Sequence, residues 1–265
     1  MRKWDEDSSS SLHRTVVEHE RRIDVTTYPD LQGKVAIITG AAGALAEAVI
    51  QRFQAEGVLL ALVDRDQGRL EAKLGMVDPA KCLLVGGVEI SDKTKVTDAI
   101  EKITAHFGKI HILVNIAGGY SAGKPVHETD EETWDSMVNS NAKSVFLMSG
   151  AVIPQMLQQG EGGRIINIGA TGGLKGGKNS AAYSVAKSAV FRLTESMSVE
   201  LKDARITVNA IYPSTIDTPA NRASMPKADF SKWVTADSMA GVIAFLASDA
   251  ARDITGAALP VTGRS

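Results

Sequence analysis

From residue 34 to the C-terminus, short runs of aliphatic and β-branched residues alternate with longer stretches of helical period. This alternation is typical of a parallel sheet that carries helices on both faces. Seven strands are predicted, at residues 35–39, 58–63, 82–88, 110–115, 164–168, 206–212 and 257–261. Right-handed crossovers would join them into a doubly wound, mostly parallel α/β sheet, which binds ligands at the carboxyl ends of its strands.

The helix after the fourth predicted strand has a marked start. Thr129 and Glu132 stand three residues apart, which is the spacing of a capping box, where both side chains accept hydrogen bonds from backbone amides. We therefore expect Thr129 to be the N-cap of this helix.

The chain is predicted to contain one domain and an extension. Its 265 residues, 44% of them hydrophobic, suffice for a single large α/β core over residues 31–265. Residues 1–30 are rich in serine and charge, so an N-terminal extension or arm is expected there. Because this segment carries acids and no apolar core of a signal peptide, we expect a cytoplasmic protein.

Charge and composition exclude several partner classes. The net charge of −2 gives no attraction to nucleic acid or to an anionic membrane, and no apolar stretch is long enough to span one. The lone Cys82 excludes an intramolecular disulfide, and the five histidines lack the spacing of metal ligands. A small-molecule substrate and no metal are expected.

The first predicted strand ends in a glycine turn that precedes a helical stretch. Such a turn aims helix amides at a pyrophosphate, although glycines also end strands for structural reasons alone. The residues that we assign here to dinucleotide binding are Gly40, Ala42, Gly43, Ala44 and Leu45.

Asp64 closes the second predicted strand and indicates the type of dinucleotide. An acid at this place hydrogen-bonds the adenosine ribose and repels a 2′-phosphate, so NAD(H) is expected and NADP(H) is the minor alternative, with Arg65 to grip its phosphate. The loops after the third and fourth strands lie at the same edge. They add the cofactor-binding candidates Glu89, Ile90, Asn115, Ala117 and Gly118.

Tyr183 and Lys187 form the candidate reaction pair. Four residues apart, they lie on one face of a helix, where the ammonium can assist a phenol whose ordinary pKa is near 10. A buried tyrosine above a surface lysine gives the same spacing, so the context has to decide.

That context resembles the short-chain dehydrogenase/reductase family from residue 33 to the C-terminus, and the motifs in order are Thr39-Gly40, Asp64, Asn115-x-Ala117-Gly118, Asn141, Tyr183-x-x-x-Lys187 and Pro213. The resemblance implies a Rossmann fold and an NAD(P)-dependent oxidoreductase that forms a homodimer or homotetramer. It makes Tyr183 the proton donor or acceptor. Lys187 would lower the pKa of Tyr183 and bind the nicotinamide ribose, and Asn141 would support a proton-relay water. Pro213, Ile216 and Thr218 would form the loop beside the nicotinamide.

Several positions depart from the family pattern. Gly43 is displaced by one residue, and the later glycines of the turn are Ala44 and Ala46, of which Ala44 is expected to crowd the phosphates. Ile116, Ser214 and His111 also replace the usual residues and are interpreted as packing changes. Ala170 stands where most relatives have a serine that binds the substrate oxygen, and the adjacent Thr171 is a weak replacement.

The quinonoid dihydropteridine reductase branch of the family resembles this chain at the same places. It shares the turn of Gly40 to Leu45, the alanine at position 170 and, almost residue by residue, the segment 217–233. Asn141 departs from that branch. The substrate-binding candidates are Ala170, Thr171, Tyr183, Asn221 and Trp233.

Three functions remain open from the sequence. The first is an oxidoreductase that transfers hydride to a small carbonyl or to a quinonoid or imine-like ring, with a quinonoid dihydropterin as one candidate. The second is a non-redox isomerase or lyase that uses Tyr183 for proton transfer. The third is a catalytically impaired member of the family, in which the altered glycine turn and Ala170 are signs of lost activity.

Overall fold

A computed structural model describes residues 27–264, and the expected N-terminal extension up to residue 26 lies outside this part. Tyr28 and Asp30, which the sequence assigned to the extension, contact the domain. The Tyr28 amide donates a hydrogen bond to Glu56 Oε2 over 2.8 Å, and Asp30 Oδ2 accepts one from the Asp249 amide over 2.8 Å.

Nine strands occur in residues 27–264: β1 (Val35–Thr39), β2 (Leu59–Val63), β3 (Cys82–Val85), β4 (Ile112–Asn115), β5 (Gly163–Ile168), β6 (Ile206–Pro213), β7 (Ile216–Asp217), β8 (Val234–Thr235) and β9 (Ala258–Val261). Seven of them form one parallel sheet in the order β3-β2-β1-β4-β5-β6-β9, and β7 pairs with β8 separately. The predicted seven-stranded Rossmann sheet is therefore confirmed.

The helices of the described part are α1 (Ala44–Ala55), α2 (Gln67–Leu74), α3 (Lys93–Phe107), α4 (Glu131–Met137), α5 (Ser144–Gln159), α6 (Ala181–Leu201), α7 (Pro219–Ser224) and α8 (Ala236–Ala247). Helices α1, α2 and α8 pack in one apolar cluster with one face of the sheet, and α3, α5 and α6 pack in a second cluster with the other face. No helix within residues 27–264 is long and apolar enough to cross a membrane.

The strand order reverses between β1 and β4, which is where a doubly wound sheet opens a crevice for ligands. Thr39 at the end of β1 fixes the loop after β4, because its Oγ1 accepts hydrogen bonds from the Ile116 and Ala117 amides, each over 3.1 Å. Gly40 has φ +67°, and a Cβ there would lie 2.9 Å from Ala117 Cα. The two loops approach so closely that only glycine fits at this position.

The predicted capping box is wrong. Helix α4 begins one residue later than expected, and Asp130 is its N-cap, since Asp130 Oδ1 accepts from the Thr133 amide over 2.7 Å. The Thr129 hydroxyl instead donates to the Pro125 carbonyl over 3.0 Å, and Glu132 is exposed. Thr129 therefore belongs to the preceding turn.

Two strand boundaries differ from the predicted ones by more than one residue. Strand β4 starts at Ile112 because the Ile110 backbone is engaged by the Gln159 side chain, which accepts from its amide over 2.8 Å and donates to its carbonyl over 2.9 Å. Strand β3 ends at Val85, before two glycines, of which Gly87 has φ +74°. Both differences lie within three residues of the prediction.

Candidate active site

The glycine turn leads directly into helix α1. Gly43 is the N-cap residue and has no side chain, so no side chain caps the first amides of this twelve-residue helix. A Cβ on Gly43 would lie 3.0 Å from the Gly40 carbonyl oxygen, a tight contact that favours glycine at this displaced position. Ala42 and Leu45 are buried and Ala44 is exposed. The free amides form an anion-binding end at the crevice.

Asp64 supports this turn as well as closing β2. It is buried, its Oδ2 accepts from the Ala42 amide over 3.0 Å, and its Oδ1 accepts from the Asp66 amide over 3.2 Å. The following Arg65 is exposed. A carboxylate that faces the turn from β2 places a negative charge beside the adenosine end of the crevice.

In the loop after β3, the two candidate cofactor-binding side chains, Glu89 and Ile90, contact the protein itself. Glu89 Oε1 accepts from the Ser91 amide over 3.2 Å and from the Ser91 hydroxyl over 2.8 Å, so Glu89 stabilises its own turn. Ile90 packs partly buried against the apolar cluster of α3 and α5. Val88 joins this loop to β2 through its amide, which donates to the Asp64 carbonyl over 3.1 Å.

Asn115 supports the sheet rather than the loop. Its side chain is buried, and Nδ2 donates to Asn167 Oδ1 over 2.9 Å and to Ser149 Oγ over 3.4 Å. Asn167 in turn donates to the Thr194 hydroxyl over 2.9 Å. This buried polar chain links β4, β5 and α6 behind the crevice.

Gly118 is the point at which the candidate catalytic residues meet. A Cβ built on it would lie 2.7 Å from Asn141 Oδ1 and 3.5 Å from Lys187 Nζ. The loop after β4 must therefore carry glycine here, so that the side chains of Asn141 and Lys187 can both lie next to its backbone. The sequence proposed Gly118 as a cofactor-binding residue from its loop position alone.

Asn141 lies in a π-helical turn, residues 138–143, between α4 and α5. Its Nδ2 donates to the carbonyls of Met137 and Gly119 over 2.9 Å and 3.1 Å. Its Oδ1 is buried and accepts no hydrogen bond within residues 27–264. A buried acceptor without a donor indicates a ligand or a water at this place.

Lys187 reaches the site from the second turn of α6. The side chain is buried, and Nζ donates to the Ile168 carbonyl at the end of β5 over 2.8 Å. Burial lowers the pKa of Lys187 to about 8, because removal from water disfavours the charged form.

Tyr183 lies one turn earlier on the same helix. It is half-buried, and the Tyr120 ring packs edge-on against it with ring centroids 4.9 Å apart. Burial, with a smaller contribution from Tyr120, raises the pKa of Tyr183 to about 12. Lys187 makes no contribution to this pKa, and its Nζ donates to the Ile168 carbonyl instead.

Tyr120 is a site residue that the sequence analysis missed. It follows the two glycines after β4 and is 72% exposed, although it contacts the candidate proton donor. An aromatic residue directly after a glycine-rich ligand loop was the available signal. Its ring therefore packs against the ring of the candidate proton donor.

Ala170 lies two residues beyond the end of β5 and, as an alanine, has no hydroxyl. It is buried, and its carbonyl accepts from the Gly173 amide over 2.9 Å in the turn that leads to α6. Thr171 is exposed, so it does not replace a buried serine hydroxyl. A Cβ on the next residue, Gly172, would lie 3.3 Å from the Tyr183 ring, which places this turn beside the phenol.

The segment after β6 forms a closed loop. It runs from Pro213 through β7 and α7 to β8. Thr218 Oγ1 caps α7 by accepting from the Asn221 amide over 3.2 Å, and Asn221 Nδ2 donates to the Ile216 carbonyl over 2.8 Å. Trp233 contacts the Phe230 ring, with centroids 4.8 Å apart. Asn221 is thus occupied within the loop, whereas Trp233 and Phe230 form an aromatic pair near its end.

No cluster of three or more histidine, cysteine, aspartate or glutamate side chains that could hold a metal ion occurs in residues 27–264. Cys82 is buried in β3, where burial raises the pKa of its thiol to about 11. The candidate site consists of the free backbone amides of α1, the Asp64 carboxylate, the Asn141 carboxamide, the Tyr183 phenol and the Lys187 side-chain nitrogen.

A family model described as short chain dehydrogenase matches residues 34–229. An uncharacterized oxidoreductase of Staphylococcus saprophyticus is 35% identical over 192 residues, which cover 72% of this chain and 81% of the relative. The 3-oxoacyl-(acyl-carrier-protein) reductase of Escherichia coli is 31% identical over 243 residues, 88% of this chain and 98% of the relative. The crystal structure of the 3-ketoacyl-(acyl-carrier-protein) reductase of Brucella melitensis, complexed with NADH, superposes with a TM-score of 0.80 at 33% identity and covers 88% of this chain and 98% of that chain.

Proposed function

Because this chain belongs to the short-chain dehydrogenase/reductase family, we propose that it is an NADH-preferring reductase of a small carbonyl or of a quinonoid or imine-like ring. A quinonoid dihydropterin is the first candidate substrate. The observation that carries the substrate class is Ala170, which is buried beside the Tyr183 turn and provides no hydroxyl.

The residues of the crevice fit a nicotinamide dinucleotide. The uncapped first turn of α1, with Gly40 and Gly43, would hold the pyrophosphate, and Asp64 would accept from the adenosine ribose. Lys187 would bind the nicotinamide ribose. When bound, the reduced cofactor supplies hydride to the substrate. The NADH complex of the Brucella relative supports this choice of cofactor.

Tyr183 is the proposed proton donor. With its pKa raised to about 12, the phenol stays protonated near neutral pH and can give its proton to the reduced substrate atom. The orphaned Asn141 Oδ1 and the Lys187 ammonium, which both approach Gly118, would hold the water that returns a proton to Tyr183. A protonated phenol is the form of Tyr183 that reduction requires.

Ala170 favours a substrate that spreads its developing charge. Reduction of a simple ketone concentrates negative charge on one oxygen, and loss of one hydroxyl donor costs about 10² to 10³ in rate. A quinonoid ring gains aromatic stabilisation and distributes the charge over nitrogens and a carbonyl, so Tyr183 alone suffices. The exposed Thr171 offers no compensation.

The substrate class is tested by NADH oxidation with two sets of acceptors. We expect faster turnover of quinonoid dihydropterin than of simple ketones, and Ala170→Ser should improve ketone reduction more than pterin reduction. Tyr183→Phe, which keeps the ring and its packing, is the matched control and should lose most turnover with both acceptors. Faster turnover of ketones by the unmodified protein would contradict the pterin assignment and leave the reductase proposal standing.

The cofactor preference is tested at Asp64. Asp64→Asn keeps an acceptor for the Ala42 amide and removes the negative charge. If the charge repels a 2′-phosphate, this variant should bind NADPH more tightly relative to NADH, whereas the unmodified protein should bind NADH more tightly. An unchanged ratio of the two dissociation constants would contradict the assigned role.

A non-redox isomerase or lyase that uses Tyr183 is the second candidate function, and a catalytically impaired family member is the third. Against impairment, the unpartnered Asn141 Oδ1 and the buried Lys187 are kept at a cost in stability. Turnover of substrate without change in the cofactor absorbance would favour the non-redox enzyme. We further propose a cytoplasmic homodimer or homotetramer.

A further inference from the structure

Lys73 lies on α2, outside every motif of the sequence analysis, yet its ammonium contacts the glycine turn. Nζ lies 3.2 Å from the Gly43 carbonyl oxygen and 3.4 Å from that of Ala42. It also pairs with Glu47 Oε2 in the first turn of α1 over 3.0 Å. One side chain thus joins α2 to the turn and to the helix that follows it.

The two sides of the turn are held by opposite charges. Asp64 accepts from the Ala42 amide, while Lys73 donates to the carbonyls of Ala42 and Gly43. In a trans peptide the carbonyl and the next amide point in opposite directions. By binding the Gly43 carbonyl, Lys73 therefore turns the Ala44 amide away from α2, toward the open end of the helix.

Within the turn, no side chain restrains this peptide. Gly43 has no side chain, and no side chain caps α1. The Gly43 carbonyl has one other neighbour, the Glu47 amide at 3.2 Å, which belongs to the helix. The direction of the Ala44 amide is therefore set by this helical bond together with Lys73, the side chain that reaches the Gly43 carbonyl from outside the turn.

We propose that Lys73 is a positioning residue of the dinucleotide site, which fixes the direction of the Ala44 amide through the Gly43 carbonyl. The inference rests on the proposed function, since the Ala44 amide matters only if a pyrophosphate binds there. Lys73 acts on the glycine turn, and its role does not require contact with the reacting atoms of the cofactor.

The test is a titration of the full chain with NADH, followed by cofactor fluorescence. Lys73→Met removes the ammonium and keeps the aliphatic stem. We expect its dissociation constant for NADH to rise about tenfold, equivalent to the loss of one charge-assisted hydrogen bond. The KM for NADH should rise equally, and kcat at saturating NADH should stay within twofold. Lys73→Arg, which keeps the donors and the charge, should restore binding.

Two further variants separate positioning from charge. Arg69→Met removes a positive charge from the same helix, and Glu47→Gln removes the ion-pair partner of Lys73 while the two carbonyls remain. Both should bind NADH within twofold of the unmodified protein. A tenfold loss in Arg69→Met would assign the effect to general electrostatics and overturn the inference.

The outcomes distinguish the two proposals. If the unmodified protein binds NADH and Lys73→Met binds it equally well, the positioning role is wrong and the reductase proposal is untouched. If the unmodified protein binds neither NADH nor NADPH, the proposed function fails, and the role of Lys73 fails with it. Thermal unfolding of each variant checks that the fold is kept.

Discussion

The buried ammonium of Lys187 opposes folding. Its pKa is lowered to about 8, whereas an unfolded lysine titrates near 10.4, so between these values the unfolded chain binds a proton that the folded chain has lost. The free energy of unfolding should therefore rise with pH across this window, by up to about 1.4 kcal/mol per pH unit.

Lys187→Met is the variant that isolates this contribution. It also removes the bond to the Ile168 carbonyl, but that loss is independent of pH. Urea unfolding at pH 8, 9 and 10 should give a steeper pH dependence for the unmodified protein than for Lys187→Met. Parallel curves would show that Lys187 is charged to its ordinary extent in the folded state. Tyr183 does not interfere, because its raised pKa acts above pH 10.

His111 provides an acid-sensitive contact at the opposite edge of the sheet. Its Nδ1 accepts from the Val35 amide over 3.0 Å, which requires an unprotonated nitrogen. Burial lowers the pKa of His111, Lys34 and Lys109 lower it further, and Glu161 acts in the opposite sense. The folded state prefers neutral His111, so its contribution is present above pH 6.5 and is lost as pH falls through the lowered pKa.

His111→Asn should reduce the acid sensitivity of unfolding, because an amide oxygen can accept from Val35 without titrating. Thermal unfolding between pH 7 and pH 5 should show a smaller decrease in Tm for this variant. His127→Asn, at an exposed position paired with Glu128, is the control and should behave like the unmodified protein. Equal decreases in all three proteins would remove His111 as the cause.

Single residues also show why some sites could be predicted from the sequence and others could not. The spacing of Tyr183 and Lys187 placed both on one helix face, as the structure has them. For Asn115 the sequence could not show which way the side chain faces. A polar residue at a strand end gives the same sequence pattern whether it faces a ligand or the next strand. Its partner Asn167 lies 52 residues away and is set by the register of β4 against β5.

At the scale of elements, the loop between β7 and β8 is organised around Arg222. Its guanidinium makes two bonds to the Asp217 carboxylate, of 2.6 Å and 2.7 Å, and lies 4.9 Å from the centre of the Phe230 ring. Phe230 contacts Trp233 in turn. The pairing lowers the pKa of Asp217, so this contact persists to acidic pH. Arg222 is thereby occupied within the loop.

Arg222→Met should loosen the loop without unfolding the domain. Loss of the two-bond ion pair with Asp217 and of the cation–π contact with Phe230 should raise the population of the open loop about fivefold. Trypsin cleavage after Lys227 should accelerate by about this factor. Arg192→Met, which removes another exposed arginine paired with Glu195, is the control and should leave the rate unchanged.

The strands of the central sheet were predictable because each is a run of apolar residues buried on both faces, which leaves a strong pattern in the sequence. Strands β7 and β8 have two residues each and leave no such pattern. The start of α4 was missed because Thr129 and Asp130 are both good N-caps, and the choice depends on the Pro125 carbonyl that binds Thr129.

At the scale of the whole molecule, the order of strands determines the site. The reversal between β1 and β4 brings together segments that are far apart in sequence, and Thr39 joins them through the Ile116 and Ala117 amides. The sequence could place the crevice because the fold was recognisable. It could not find Lys73, since the reach of α2 back to the glycine turn depends on how helices pack.

The outer surface of α5 and α6 is the interface that we propose for the expected oligomer. Both helices pack on the same face of the sheet, yet their outward sides leave large apolar residues exposed, which are Phe146, Leu157, Val185 and Val199. Exposed apolar surface of this kind marks a protein interface, and the expected homodimer or homotetramer would bury it.

Phe146→Glu combined with Val199→Glu should therefore reduce the molar mass in solution to that of a monomer, measured by light scattering. Met76→Glu, at an exposed apolar residue beyond α2, is the control and should keep the oligomer. A monomeric unmodified protein would contradict the expected oligomer, and a double variant that still assembles would assign the interface elsewhere.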